Sequence, residues 1–469
     1  MNAIEREHDN PLGYEKVSTL LRRFAVPSIV AMLVSSLYNI VDQIFIGQGV
    51  GYLGNAATNV AYPLTTICLA IALLFGIGGA ANFSLALGSG NKDGAARTVC
   101  NVLYMVILFG IVYAVLIELF LRPMLNAFGA TENVLPFAVK YAKITAIGMP
   151  FLIFTNAVSA LIRADGSPKY SMMCMVTGAV INTILDPLFI FGFKMGIEGA
   201  AWATILSQFI SFLCALRYLR HFQSIDLKRE YFQFRIGSCI QTASLGLSNC
   251  LTQVSITLIQ IVMNNSLTYY GVRSIYGEDI PLSAAGVVMK VNSILTAVFV
   301  GLSQGSQPIL GYNYGAVQYE RVKGVYKLAV KCSFVVSVLG FIMFQFFPQY
   351  IIAIFGSGDN ELYIEFAVKF MRTFLFMIII NGVQLISSNF FSAIGKPFKG
   401  IMLSLSRQVI FLIPLMLLLP IFWGIDGVML AAPVADTIAF VFSIIMIRKE
   451  FHKMHHSNEK VENKGSDIR

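Results

Sequence analysis

Apolar runs of about 20 residues recur along this chain, parted by short polar, glycine- or proline-bearing breaks, and each could cross a bilayer as a helix. Twelve are read, at about 20–45, 56–80, 97–120, 137–161, 169–193, 197–218, 238–265, 283–309, 323–347, 363–392, 399–421 and 427–447. Alternation of period two is weak, which argues against a barrel. The pattern predicts an all-α polytopic membrane protein.

The same punctuation occurs twice. Phe128-Gly129, FAVKY (137–141), ADGSPK (164–169) and GIEGAAWA (196–203) are followed by Phe355-Gly356, FAVKF (366–370), AIGKP (393–397) and GIDGVMLA (424–431), at offsets of 227, 229, 229 and 228 residues. Such a repeat in an apolar chain predicts two pseudo-symmetric six-helix lobes. The expected division is a cytoplasmic tail over 1–14, an N-lobe over 15–218, a basic cytoplasmic linker over 219–237, a C-lobe over 238–450 and a polar, disordered cytoplasmic tail over 451–469. The YFQFRI segment (231–236) of the linker would lie at the interface, with aromatic rings at headgroup depth.

Composition agrees with membrane embedding: 56% of the 469 residues are hydrophobic and 13% are charged, where a soluble chain carries about 25% charge. The net charge of +9 would suit nucleic acid, but roughly 25 of the 34 Lys and Arg precede span one, follow span twelve or fall in the even-to-odd connections. Examples are Arg22, Arg23, Lys92, Arg97, Arg163, Lys169, Arg321 and Lys323. The basic excess therefore reads as topology, with both termini cytoplasmic in the cell (plasma or inner) membrane and no nucleic-acid partner. The first nineteen residues lack a cleavable signal, and span one would serve as an uncleaved anchor. Seven Cys without CxxC spacing support neither disulfides nor a metal cluster, and all five His lie in the tails or the linker. No nucleophile motif is evident, so an enzyme is not expected.

Glycines gather where spans meet. GIGG (76–79) with GSG (88–90) has its repeat partner in GLSQGSQP (301–308) with GYNYG (311–315), which suits close helix packing. Pro27 and Pro187 sit inside acid-bearing spans and are candidate hinges, since proline removes a backbone donor and crowds the preceding turn.

A charge at bilayer depth costs about 2.5–3.5 kcal/mol even on the lenient scale. Five fall that deep: Asp42, Asp186, Lys290, Arg407 and Asp436. Asp186 follows Asn182 by one helical turn, so both side chains share a face. Thr204 in the next span and Asn156 in the preceding one add polar groups among apolar neighbours. Together they could hold a proton on a carboxyl or a small cation such as Na+. The repeat supplies a control: Asp186 corresponds to Pro414 or Leu415, Asn182 to Ile410 or Phe411, Thr204 to Ala432 and Asn156 to Leu385. A scaffold role would be needed in both lobes, so the polar set reads as functional. The competing readings are a merely hydrogen-bonded Asp186, an Asp42 that snorkels to the outer surface, and Lys290 and Arg407 in structural pairs, with Asp436 as one such partner.

VPSIVAMLVSSLYNIVDQIFIG (26–47), INTILDP (181–187), GIEGAAWAT (196–204) and QPILGYNYGA (307–316) resemble the multidrug and toxic compound extrusion (MATE) family over essentially all twelve spans. Within it the chain is similar to the DinF-like and MepA-like bacterial branches. The resemblance implies a V-shaped pair of bundles around a cavity that opens to one side at a time. It also implies antiport of bulky, often cationic organic compounds against H+ or Na+, with no cofactor beyond that coupling ion. The first-lobe cation site of the DinF-like branch maps onto Asp42, Asn182, Asp186 and Thr204. Span ten lacks the acid of the NorM-like second-lobe site, which speaks against coupling there. Tyr38, Asn156, Met175 and Gln208 are candidate cavity contacts, and the expected state is a monomer. The expected mechanism is alternating access: an ion from outside neutralises the Asp42/Asp186 site, weakens its hold on the substrate and is later released inward. The alternative is a flippase of lipid-linked oligosaccharide or peptidoglycan precursor in the same superfamily, which Lys290 and Arg407 keep open.

Overall fold

The computed structural model describes residues 10–277, 279–354 and 361–466, so the Phe355-Gly356 anchor of the repeat lies outside the described residues. The main helices are α1 (Val17–Val50), α2 (Tyr52–Gly88), α3 (Lys92–Ala127), α4 (Leu135–Ala164), α5 (Pro168–Pro187), α6 (Gly196–Tyr218), α7 (Ile236–Gly271), α8 (Asp279–Gly315) and α9 (Tyr319–Phe346). The tenth, α10, is a broken span, Glu361–Phe374 followed by Ile378–Ala393 at 50°. Span α11 runs from Pro397 to Trp423 through a π-helical stretch at Ser406–Leu412, and α12 covers Ile425–Ser466. Twelve membrane crossings result when the bent pair counts as one, by length and composition.

Local sequence places the ends. Pro168 and Pro397, repeat partners, open α5 and α11 at a position where the missing N–H costs nothing. The Asn91 side chain accepts from Gly94 N at 2.7 Å and caps α3. Gly51, at φ 86, makes the tight turn between α1 and α2, a conformation costly for any residue with a Cβ. Pro187 is followed by a π-helical turn at Leu188–Gly192, whereas no break in the helix accompanies Pro27. Pro187 thus sits where α5 passes into π-helical hydrogen bonding, and Pro27 within an unbroken helix.

The repeat is visible as geometry. Lys140 Nζ lies 3.3 Å from Glu198 Oε1 between α4 and α6, and Lys369 Nζ lies 2.7 Å from Asp426 Oδ1 between α10 and α12. These are the repeat partners of FAVK and GI(E/D)G. The lobes join at the end of the bundle that carries the linker, through partner glycines. A Cβ on Gly88 would fall 2.0 Å from Tyr312 O, and one on Gly315 would fall 2.3 Å from Leu85 O. Gly78 abuts Thr242 O, Gly246 abuts Leu74 O, and Gly301 and Gly305 abut the backbone of Ile29 and Ala25. Small residues let the backbones approach this closely. Gln307 adds a hydrogen bond to Ile77 O at 2.8 Å.

Arg163 departs from its expected place in a cytoplasmic connection. It is buried at the end of α4 and donates to Ser171 Oγ (3.1 Å) and across the lobes to Gln304 Oε1 (3.0 Å). Neighbouring Asp165 accepts from Tyr218 Oη (2.7 Å), Gln223 N (2.7 Å) and Ser224 N (2.9 Å), and so fixes the start of the linker. Burial holds its carboxyl above the usual range despite those donors. Further along, Tyr231 donates to Asp93 Oδ1 at 2.6 Å, and exposed Phe232 and Phe234 flank Tyr104 edge-on.

The disorder expected after residue 450 is corrected over the described residues: α12 continues to Ser466. Buried Glu450 is bonded to Lys396 and Lys399, Phe451 packs against Tyr326 and Phe390, and Met454 is buried. These contacts carry the helix past the apolar run.

Candidate functional site

Four helices of the N-lobe bring the site together. Tyr38 and Asp42, four apart on α1, share a face, as do Asn182 and Asp186 on α5. The carboxyls of Asp42 and Asp186 lie within hydrogen-bonding reach of each other. Asn182 Nδ2 donates to Asp186 Oδ1 at 3.2 Å. Asp186 is 0% exposed and Asn182 2%. Asp42 is half-buried and turned toward Asp186, so it does not snorkel to the surface.

Tyr38 and Tyr141 lie beside the two carboxyls, and Tyr141 brings its hydroxyl near the Thr204 side chain. Thr204 Oγ1 also bonds Ala200 O at 2.9 Å on its own helix. Above the acids, Ile46, Ile190 and Ala200 form a buried apolar cluster flanked by Phe45, Val50 and Tyr141. Gly49 lets α1 close on the π-helical turn, since a Cβ there would fall 2.1 Å from Ile190 Cγ2. That cluster separates the acids from the α1–α2 turn.

Asp42 Oδ1, Asp186 Oδ2 and Asn182 Oδ1 are buried without a hydrogen-bond partner. An unsatisfied buried polar atom costs about 1–3 kcal/mol, and two adjacent carboxylates repel as well. A shared proton or a bound cation relieves both. Carboxylate, amide and hydroxyl oxygens suit a hard cation, so the donor set fits either H+ or Na+. Among the described residues no group of three or more His, Cys, Asp or Glu could hold a metal ion.

The other candidates make contacts of their own. Asn156 Nδ2 donates to Leu152 O of its own helix at 2.9 Å. Gln208 packs against Gly148 with a buried, unpartnered Oε1. Met175 is half-buried on α5. In the C-lobe Arg407 Nε meets Asp436 Oδ1 at 2.5 Å, the structural pair expected for them. Lys290 is exposed and has no acidic partner among the described residues.

Tyr141 is the residue missed in the sequence. Its signal lay within the repeat itself, because FAVKY becomes FAVKF and Tyr141 corresponds to Phe370. The ring is kept in both lobes and the hydroxyl only in the first. Phe370 is accordingly buried among aromatic neighbours, stacked on Phe366 and Phe374.

A family model described as MatE matches residues 27–188 and 239–418. The multidrug export protein MepA of Staphylococcus saprophyticus is 23% identical over 447 residues, covering 94% of this chain and 96% of that protein. A protein of Shewanella oneidensis named FAD transporter is 26% identical over 434 residues, covering 90% and 92%. Among solved structures, an outward-facing conformation of a multidrug resistance MATE family transporter superposes with a TM-score of 0.88 at 19% identity, covering 97% of this chain and 99% of that one. That likeness shows the fold.

Proposed function

The chain belongs to the MatE family, whose members are transporters and not enzymes, and on that premise we propose a secondary active multidrug exporter coupled to H+ or Na+ at Asp42 and Asp186. Its substrates are bulky, often cationic organic compounds, and the coupling site lies in the N-lobe alone. The observation that carries the reading is the meeting of two carboxyls from α1 and α5 with three buried oxygens left unpartnered. A cation or proton satisfies those oxygens, and a substrate cation competes for the same negative charge. Coupling requires that each occupant bind the two states unequally.

The remaining residues support that cycle. With both termini cytoplasmic, the glycine-lined joint of Gly88 and Gly315 closes the inner end, and the cleft opens outward. Ion entry from outside then discharges the pair and releases substrate. Tyr141 and Thr204 orient the site, while the Ile46–Ile190–Ala200 cluster limits water around it. Pro187 and its π-helical turn supply the place where α5 can alter its packing against α1. The second lobe has no equivalent acids, and its Arg407–Asp436 pair is a structural brace.

Accumulation of ethidium in cells producing the wild type, Asp42→Asn or Asp186→Asn tests the reading. Each variant is expected to lose most of the gradient-driven export. Full export by both variants would place the coupling elsewhere. Failure of the wild type to export the dye, with movement of a lipid-linked precursor instead, would establish the flippase alternative.

A further inference from the structure

The half of α8 far from the lobe joint carries a charge that the coupling site does not use. Gly286, Lys290 and Ser293 are exposed at intervals of four and three residues, so they lie on one face. That face borders α1: Ser293 Oγ lies 3.4 Å from Ser36 Oγ. Two and three turns nearer the joint, Gly301 and Gly305 abut Ile29 and Ala25. The two helices are antiparallel and in constant register, which sets Lys290 opposite Asn39, within one turn of the level of Asp42.

Composition separates this face from the lipid surface. Over 107–116 of α3 every exposed residue is apolar, Ile107, Leu108, Ile111 and Val115 among them. The α8 face offers glycine, lysine and serine, and exposed Asn39 stands across from it on α1. A lysine at this depth is tolerated where it meets a wet cavity. Arg407, the other deep cation of this lobe, is neutralised by Asp436, whereas Lys290 has no carboxylate among the described residues.

We propose that Lys290 is an anion-selecting residue on the face that α8 presents beside α1, where it takes a carboxylate or phosphate of the substrate. The inference rests on the exporter reading and sets a preference, within its substrates, for organic compounds that also carry an anionic group. A molecule carrying an anionic group meets attraction at Lys290. One carrying only positive charge is repelled by Lys290, which is how like charge imposes specificity.

The test is equilibrium binding to the purified full-length protein, for the wild type, Lys290→Ala and Lys290→Arg. The probes are riboflavin against its 5′-phosphate, norfloxacin against its decarboxylated analogue, and ethidium. The wild type is expected to prefer the anion-bearing member of at least one pair by about tenfold. The responding pair identifies phosphate or carboxylate. Lys290→Ala should abolish the preference and bind ethidium as well as or better than the wild type, and Lys290→Arg should retain the preference. No preference in the wild type, or a preference that survives Lys290→Ala, overturns the proposal. Ethidium export by the wild type is measured separately: its failure counts against the exporter reading, whereas the charge preference is decided by binding alone.

Discussion

Asp42 of α1 and Asp186 of α5 place their carboxyls within hydrogen-bonding reach, with Asn182 Nδ2 closing on Asp186 Oδ1 at 3.2 Å. Two acids brought this close inside an apolar lobe oppose folding unless something sits between them. Packing therefore builds a site that favours positive charge. Replacing either acid with Asn removes the repulsion, so Asp42→Asn or Asp186→Asn should leave the melting temperature in detergent unchanged or higher while export falls. A large loss of stability in both variants would identify the acids as a structural brace.

Tyr141 offers a milder probe. Tyr141→Phe removes one hydroxyl partnered with Thr204, and the repeat partner Phe370 shows that the fold accepts phenylalanine there. The expected cost is about 1 kcal/mol of stability, that of one hydrogen bond. Dye export should fall more than stability does, and thermal unfolding beside an efflux assay separates the two. Unchanged export would remove Tyr141 from the site.

The lobe joint can be wedged. Gly88→Ala and Gly315→Ala each drive a methyl into a carbonyl, at 2.0 Å from Tyr312 O and 2.3 Å from Leu85 O. Each should open the joint, seen as longer distances between spin labels on the two lobes at that end, with export reduced on the order of tenfold. Gly324→Ala, where a Cβ meets nothing within 4 Å, is the matched control and should behave as the wild type. Equal behaviour of all three would mean that the contact is not required.

The Arg407–Asp436 pair, its acid buried and its arginine half-buried, carries a different expectation. Asp436→Asn or Arg407→Ala leaves one charge without its partner and should cost about 3–5 kcal/mol. Arg407→Met with Asp436→Leu should cost much less than the sum of the single changes, and thermal unfolding reads the cycle. Additive losses would show that the two side chains are not coupled.

Asp165 ties the linker to the N-lobe through Tyr218, Gln223 and Ser224. Asp165→Ala should free that segment and hasten tryptic cleavage at Arg220 and Lys228, with the spans left intact. Unchanged cleavage would mean that the contacts of Tyr231 with Asp93 hold the linker without it.

Much of this architecture is legible before any coordinates. Apolar run length locates the spans, and paired motifs locate the lobes. The acids stand out because their repeat partners are apolar. The break between Phe374 and Ile378 is hidden, because local apolarity is the same on both sides of a bend. Arg163 reads as a surface cation because its partners, Ser171 and Gln304, are neutral and one lies in the other lobe. Tyr141 passes as an aromatic packing residue until its hydroxyl is seen beside Thr204. The helix beyond Lys449 depends on Lys396 and Lys399 reaching Glu450, a contact made by tertiary packing.

The most direct test of the coupling site is ion release on substrate binding by the purified protein in weakly buffered detergent solution. A pH indicator and a sodium-selective electrode are read as ethidium is added. The wild type is predicted to release H+ or Na+ as ethidium binds, and the variant carrying both Asp42→Asn and Asp186→Asn to release none. The same release from the double variant would contradict the account.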